Sequence, residues 1–205
     1  MGLFPYAWQW LLENYLELAG TLTGLLYIYY SIKKKNRLWI YGIVSSAIYV
    51  YVFYQSGIYA YSLLNAYYVV IGVYGLYNWT RKTETDKGRV HLPVVRIGVF
   101  KMIMFALVSL VISFPLFLLI RNLGMEDAGY VDSFLASASI ITTWMLTQKY
   151  MEHWLFWIAI DVLSIAFMLY KGLYPSAFLF LAYTLLSIRG YIEWKKEFIM
   201  EEETC

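Results

Sequence analysis

Residues 152–162 read Glu152-His153-Trp154-Leu155-Phe156-Trp157-Ile158-Ala159-Ile160-Asp161-Val162, which places a carboxylate inside an apolar run otherwise suited to crossing a membrane. On a helix of 3.6 residues per turn, Trp154, Trp157, Asp161 and Ser164 fall at i, i+3, i+7 and i+10 and share one face. A charged side chain in hydrocarbon costs several kcal/mol, so it faces a bundle interior or a wet cavity and marks a functional site by default. The stretch therefore predicts a spanning helix with an inward stripe that is both polar and aromatic.

The rest of the chain agrees with a membrane setting. Of 205 residues, 61% are hydrophobic, 20% aromatic and only 15% charged, against roughly one-quarter charged in soluble domains. At about 20 residues per span the length suits about seven helices in a single membrane domain covering 1–205. A net charge of +2 makes no case for nucleic acid, and the lone Cys205 provides neither a disulfide nor a cysteine metal cluster. The N-terminus has no basic region ahead of a cleavage site, so the first helix is expected to act as the insertion signal.

Spans are expected at 15–32, 38–54, 59–79, 95–120, 132–148, 154–170 and 174–194, preceded by an interfacial segment over 1–15 that holds Trp8 and Trp10 but no Lys or Arg. Cytoplasmic loops retain basic residues. Lys33, Lys34, Lys35 and Arg37 follow span one, Arg81, Lys82, Lys87 and Arg89 follow span three, and Lys195 and Lys196 follow span seven, whereas the opposite side shows only Arg121 and Lys171. The N-terminus is thus expected outside and the C-terminus in the cytoplasm. The polar stretch Thr80–Pro93 reads as a cytoplasmic linker between halves.

A shift of 115 residues carries Trp39 onto Trp154, Ile43 onto Ile158, Gly57 onto Gly172, Tyr59 onto Tyr174, Tyr68 onto Tyr183, Gly75 onto Gly190 and Trp79 onto Trp194 without a gap. Upstream, the same shift sets Glu17 opposite Asp132 and Lys34 opposite Lys149, which supports a fifth span despite its serines and threonines. Spans one to three (15–79) therefore correspond to spans five to seven (132–194), in the same direction through the membrane, with span four (95–120) as a linker helix. The expected fold is all-α: seven transmembrane helices in a 3+1+3 arrangement of two parallel three-helix repeats, the plan of SWEET-like carriers, with the substrate site at the repeat interface near mid-membrane.

In span three, Asn65, Tyr68, Gly72, Gly75 and Trp79 form one helical stripe. The glycines read as points where another backbone comes close. Asn65 reads either as an interhelical hydrogen-bond partner or as a ligand contact. Asp161 reads either as a structural partner of Arg189 or as a polar wall of a pocket, and the shift matches it to neutral Ser46, a charge asymmetry that an asymmetric ligand requires. The chain has 21 tyrosines, 12 phenylalanines and 8 tryptophans, most of them assignable to packing or to the membrane interfaces. Trp154, Trp157, Tyr68 and Tyr183, on the polar stripes, compose a box able to stack on a flat cation. Trp154 has a rival reading as an interface marker shared with Trp39, whereas Trp157 matches Gly42 and is the better candidate for touching substrate. His91 and His153 read as solvated residues of cytoplasmic loops, and no carboxylate–histidine spacing suggests a metal.

With these motifs the chain resembles the Pnu-type vitamin transporter family, typified by the PnuC nicotinamide riboside carriers. The resemblance rests on Asn65-x-x-Tyr68-x5-Tyr74-Gly75-x3-Trp79, on Trp154-x-x-Trp157-x3-Asp161 and on the 3+1+3 plan. The family more usually has Gln at the place of Asn65 and Trp at that of Leu76, and the shorter amide puts substrate identity in question more than membership. The resemblance implies facilitated diffusion of an unphosphorylated vitamin across the cell inner membrane, net uptake through a cytoplasmic kinase, a homotrimer, no cofactor and no enzymatic activity. Nicotinamide riboside ranks first, thiamine close behind, and riboflavin is a further substrate of the family. The first two carry a fixed positive charge that suits Asp161 and the aromatic box. Substrate contacts are expected from Asn65, Tyr68, Trp157, Asp161, Tyr183, Trp154 and Ser46.

Other classes were weighed. A retinal protein needs a lysine in mid-span seven, which the chain lacks, and no hydrolase or protease motif is present. A seven-helix receptor and an ion-coupled carrier remain as alternatives, the latter because Asp161 can bind or exchange an ion.

Overall fold

Each apolar run becomes one helix, because a backbone in hydrocarbon has no water to bond and must satisfy itself internally. The computed structural model describes residues 15–57, 59–85, 88–122, 129–170, 172 and 174–203. In chain order these form α1 (Tyr15–Ile32), α2 (Arg37–Gln55), α3 (Tyr59–Thr80), β1 (Lys82–Thr85), β2 (Gly88–His91), α4 (Val99–Asn122), α5 (Tyr130–Thr147), α6 (His153–Tyr170) and α7 (Tyr174–Glu203). The helices fall on the expected spans to within a few residues, except that α7 continues past 194 to Glu203. By length and composition alone, α2, α4 and α6 are apolar enough to cross a membrane. The expected interfacial segment lies outside the described residues apart from Tyr15. One departure from an all-helical chain is the antiparallel hairpin in the linker, which pairs Lys82 with His91 and Thr85 with Gly88.

Helix α1 packs on α2 and α2 on α3, while α6 packs on both α5 and α7. The two groups meet where α3 lies against α5 and α7 against α1, so six helices close a ring, and α4 packs on α5. Val99, Phe100 and Val111 of α4 are 71%, 82% and 72% exposed, an apolar surface fit for lipid. Its serines turn the other way: Ser109 and Ser113 are buried, and Ser137 of α5 donates its hydroxyl to the Ser109 carbonyl at 2.8 Å.

Positions 115 residues apart have matching geometry. Lys34 and Lys149 adopt φ of 51° and 54°, left-handed positions usually given to glycine. Each ends its helix with the same bond, from Lys35 N–H to the Tyr30 carbonyl at 3.0 Å and from Tyr150 N–H to the Met145 carbonyl at 3.1 Å. Trp39, Trp79, Trp154 and Trp194 are buried together, with ring centroids 5.5 Å apart for Trp39–Trp79, 6.0 Å for Trp154–Trp194 and 6.1 Å for Trp79–Trp194. The Trp79 indole N–H donates to the Leu146 carbonyl at 3.2 Å, and that of Trp194 donates to the Ser31 carbonyl at 3.1 Å. Each bond ties one group of helices to the other.

Gly75 and Gly190 serve these tryptophans. A Cβ at Gly75 would lie 2.5 Å from the Trp39 ring, and one at Gly190 would lie 2.6 Å from the Trp154 ring. What approaches closely is an indole, not the neighbouring backbone expected from the sequence; Gly72 likewise admits the Ile43 side chain. Beyond the hairpin, the chain is laced onto the α5–α6 turn. Val95 N–H bonds the Lys149 carbonyl at 3.0 Å, Met151 N–H bonds the Val95 carbonyl at 2.9 Å, and Ile97 N–H bonds Glu152 Oε2 at 3.0 Å.

Candidate substrate cavity

A ring of helices leaves space at its centre wherever facing positions are small, and α1 presents Gly20, Thr21 and Gly24 there. The resulting cavity has a volume of about 990 Å³ and is lined from both groups of helices, with Leu116, Leu119 and Ile120 of α4 on its wall. From α6 come Trp154, Trp157, Asp161 and Ser164, so the stripe read from the opening stretch does face inward. Among leucines and isoleucines, further aromatic side chains line the cavity: Tyr27, Tyr49, Tyr61, Tyr67, Phe180 and Tyr183.

Among the described residues the lining holds two carboxylates, Asp132 and Asp161, and no Lys, Arg or His. A cavity wall of that composition favours a cation and disfavours an anion. Asp161 is 4% exposed, and Ser187 of α7 donates its hydroxyl to Asp161 Oδ2 at 3.5 Å. Asp132 lies in the first turn of α5, where its Oδ2 accepts the Gly129 N–H at 3.0 Å and suits the positive end of the helix.

A second pocket of about 150 Å³ adjoins the first and shares Gly24, Tyr27, Ser45 and Trp157 with it. Tyr68 and Ser46 line this smaller space. Of the residues singled out in the sequence, Trp154, Trp157, Asp161 and Tyr183 thus meet in the large cavity, with Tyr68 and Ser46 beside it. Asn65 lines neither pocket; its Nδ2 donates at 2.8 Å to the Tyr61 carbonyl one turn back in α3. That bond uses one of the amide's two hydrogens and does not engage its oxygen.

The structure decides between two alternatives for Asp161 and corrects the reading of His153. Arg189 is exposed and makes no pair with Asp161, whose hydroxyl partner is Ser187. The reason is angular: at 100° per residue Arg189 lies far around α7 from Ser187, which faces the cavity. His153 is not a solvated loop residue but the first residue of α6, 0% exposed, its ring centroid 4.6 Å from Trp154 in a tilted contact and 4.9 Å from Trp194 edge-on, with Nδ1 2.7 Å from the Tyr150 carbonyl. The sequence held a signal for this, since the 115-residue shift matches His153 to Leu38, which is also fully buried.

Sequence reasoning missed Tyr27, Tyr49 and Tyr61, because a chain with 21 tyrosines offers no cue to which ones face inward. For Tyr27 a cue exists in Gly42: a Cβ there would meet the Tyr27 ring at 2.8 Å, so the glycine seats that ring.

Comparison with known proteins gives consistent matches. The family described as nicotinamide mononucleotide transporter matches residues 14–196. A nicotinamide riboside transporter, PnuC of Escherichia coli, is 25% identical over 203 residues, covering 88% of this chain and 85% of its own. The protein of the same name from Neisseria mucosa is 23% identical over 197 residues, covering 90% of this chain and 73% of its own. A solved structure described as a crystal structure of the vitamin B3 transporter PnuC superposes with a TM-score of 0.72 at 21% identity, over 94% of this chain and 85% of that one. The last likeness speaks for the fold.

Proposed function

The chain belongs to the family described as nicotinamide mononucleotide transporters, and from that premise we propose that it carries unphosphorylated nicotinamide riboside across the cell inner membrane by facilitated diffusion. It is a multi-pass membrane transporter, not an enzyme. The observation that carries the choice of substrate is the charge of the cavity. A mononucleotide brings a phosphate, which calls for Arg or Lys, whereas the lining, among the described residues, offers two carboxylates and no Lys, Arg or His. A riboside brings only a cationic ring, which suits Asp161 and the surrounding aromatics. The names of the relatives support the same choice.

In this reading Trp154, Trp157, Asp161 and Tyr183 contact the ligand, with Tyr68 and Ser46 at the adjoining pocket. The fold is two parallel three-helix repeats joined by α4, with the N-terminus outside. It is supported by the paired lysine turns, by the reciprocal bonds of Trp79 and Trp194 and by the basic residues around the ends of α1 and α3. Uptake against a gradient comes from a cytoplasmic kinase that traps the product, and the working unit is a homotrimer; both follow from the family resemblance. Thiamine, also a cation, fits the same charge and is the competing substrate.

Proteoliposomes loaded with or without a nicotinamide riboside kinase and ATP test this. Labelled riboside should equilibrate without the kinase and accumulate with it, and excess mononucleotide should compete poorly. Accumulation above equilibrium without kinase, driven by an ion gradient, rejects the facilitator. Preferential uptake of thiamine reassigns the substrate.

A further inference from the structure

On the side of the Lys34 and Lys149 turns, the large cavity ends at a layer of tryptophans. Its lining reaches Ser31 and Trp154 there, and beyond them Trp39, Trp79 and Trp194 are buried with Leu38, Leu146 and Met151 in one cluster. A ligand leaving in that direction has to part this layer. Trp39 with Trp79, and Trp154 with Trp194, each lie within one three-helix group, whereas Trp79 meets Trp194 across the two groups.

The crossing contacts repeat, yet the two seams between the groups are not held equally. The 115-residue shift carries Ser31 onto Leu146, so the bonds of Trp194 to the Ser31 carbonyl and of Trp79 to the Leu146 carbonyl are equivalents. Each turn lysine also lies over the tryptophan of the other group, Lys34 5.7 Å from Trp194 and Lys149 4.5 Å from Trp79. The α3–α5 seam has further bonds. Asn78 Nδ2 donates to the Thr147 carbonyl at 2.8 Å and Gln148 Nε2 to the Tyr74 hydroxyl at 3.1 Å. About three turns of α3 away from Trp79, the Tyr67 hydroxyl donates to the Ile140 carbonyl at 2.9 Å. At the α1–α7 seam the polar ties between described residues are the Trp194 bond and an ion pair of Lys34 with Glu197, whose side chain is 52% exposed. A pair so open to water holds weakly, and bonds at one level resist a hinge rotation less than bonds at two.

We propose that the α1–α7 seam is the inner gate of the carrier and the α3–α5 seam its hinge: the groups part between α1 and α7, breaking the Trp194–Ser31 bond and the Lys34–Glu197 pair, and stay joined through α3 and α5. The exit so formed leads straight from the cavity, because Ser31 both lines the cavity and accepts the Trp194 bond. The inference rests on the orientation given above, with the C-terminus in the cytoplasm, and holds whichever vitamin is carried.

Thiol labelling of the full chain, in intact cells and in inverted membrane vesicles of an expression host, tests this without a substrate. The wild type has one cysteine, Cys205, which should react with a membrane-impermeant cationic methanethiosulfonate from the cytoplasmic face; reaction only from the outer face overturns the orientation and the proposal with it. In a Cys205→Ser background, Ile28→Cys places a thiol on the cavity wall, one turn from Ser31. Its labelling from the cytoplasmic face should be slow. Trp194→Phe, which keeps a ring and removes the N–H, should speed that labelling about two- to tenfold. Glu197→Gln should speed it about two- to fivefold, and it carries the test if Trp194→Phe fails to elute like the wild type. Asn78→Ala and Gln148→Ala, at the other seam, should change it by less than about twofold. Unchanged labelling in every folded α1–α7 variant, or an equal gain in the α3–α5 variants, overturns the gate and leaves the orientation standing.

Discussion

The two three-helix groups match at several positions 115 residues apart but differ where they face the cavity. Where α2 has Ser46, α6 has Asp161; where α2 has Gly42, α6 has Trp157; where α3 has Gly72, α7 has Ser187, which hydrogen-bonds Asp161. At the helix ends and in the tryptophan core the pairs are alike: lysine with lysine at the left-handed turns, glycine with glycine beneath an indole, and tryptophan with tryptophan, Trp154 reaching the cavity as well. The contrast shows two kinds of constraint. Helix ends and core packing demand the same residue type from each group, because each must satisfy the same geometry. The inward positions are free of that demand, and there the second group is acidic and aromatic at Asp161 and Trp157 while the first is neutral at Ser46 and Gly42. A ligand with one charged end and one neutral end fits such a cavity in only one direction.

Breaking the asymmetry should have the largest effect. Asp161→Asn keeps shape and removes charge, and it should weaken riboside binding about a hundredfold, whereas its first-group counterpart Ser46→Ala should cost about threefold or less; calorimetry on both variants checks the ratio. Trp157→Ala should follow, with a loss of about three- to thirtyfold from the missing ring face, read by the same titration with the elution volume unchanged from wild type. The shared frame gives a test of sameness. Gly75→Ala and Gly190→Ala each force a Cβ against an indole and should each cost about 1–3 kcal/mol, so their thermal midpoints in detergent should drop by similar amounts. The smallest effect belongs to Arg189→Gln. With the arginine exposed and unpaired to Asp161, uptake should stay within about twofold, and a large loss would restore the discarded ion pair.

Much of this was legible in the sequence, for identifiable reasons. Helix positions follow from apolar run length, a strong signal in a membrane, and the inward stripe of α6 follows from the cost of burying Asp161. The linker hairpin was not legible, since polar strands of four residues carry no hydrophobic period. The choice between Arg189 and the cavity as the neighbour of Asp161 was not legible, because depth along a helix is read from the sequence more readily than the angle around its axis within the bundle. His153 was misjudged because its neighbours Lys149 and Glu152 look like a loop; both are themselves buried, Lys149 over the Trp79 ring at 4.5 Å and Glu152 bonded to the Ile97 N–H. The tyrosines that complete the cavity needed coordinates, because so many of them compete for the same role.

The central claim is that Asp161 and its aromatic neighbours select a cation without a phosphate. Titrating nicotinamide riboside and nicotinamide mononucleotide into the wild type and Asp161→Asn tests it most directly. The account predicts that the wild type prefers the riboside by at least about tenfold and that the preference narrows in the variant, because the carboxylate that repels phosphate is gone. Equal affinity of the wild type for both ligands, or a variant that retains full affinity and full preference, would contradict it.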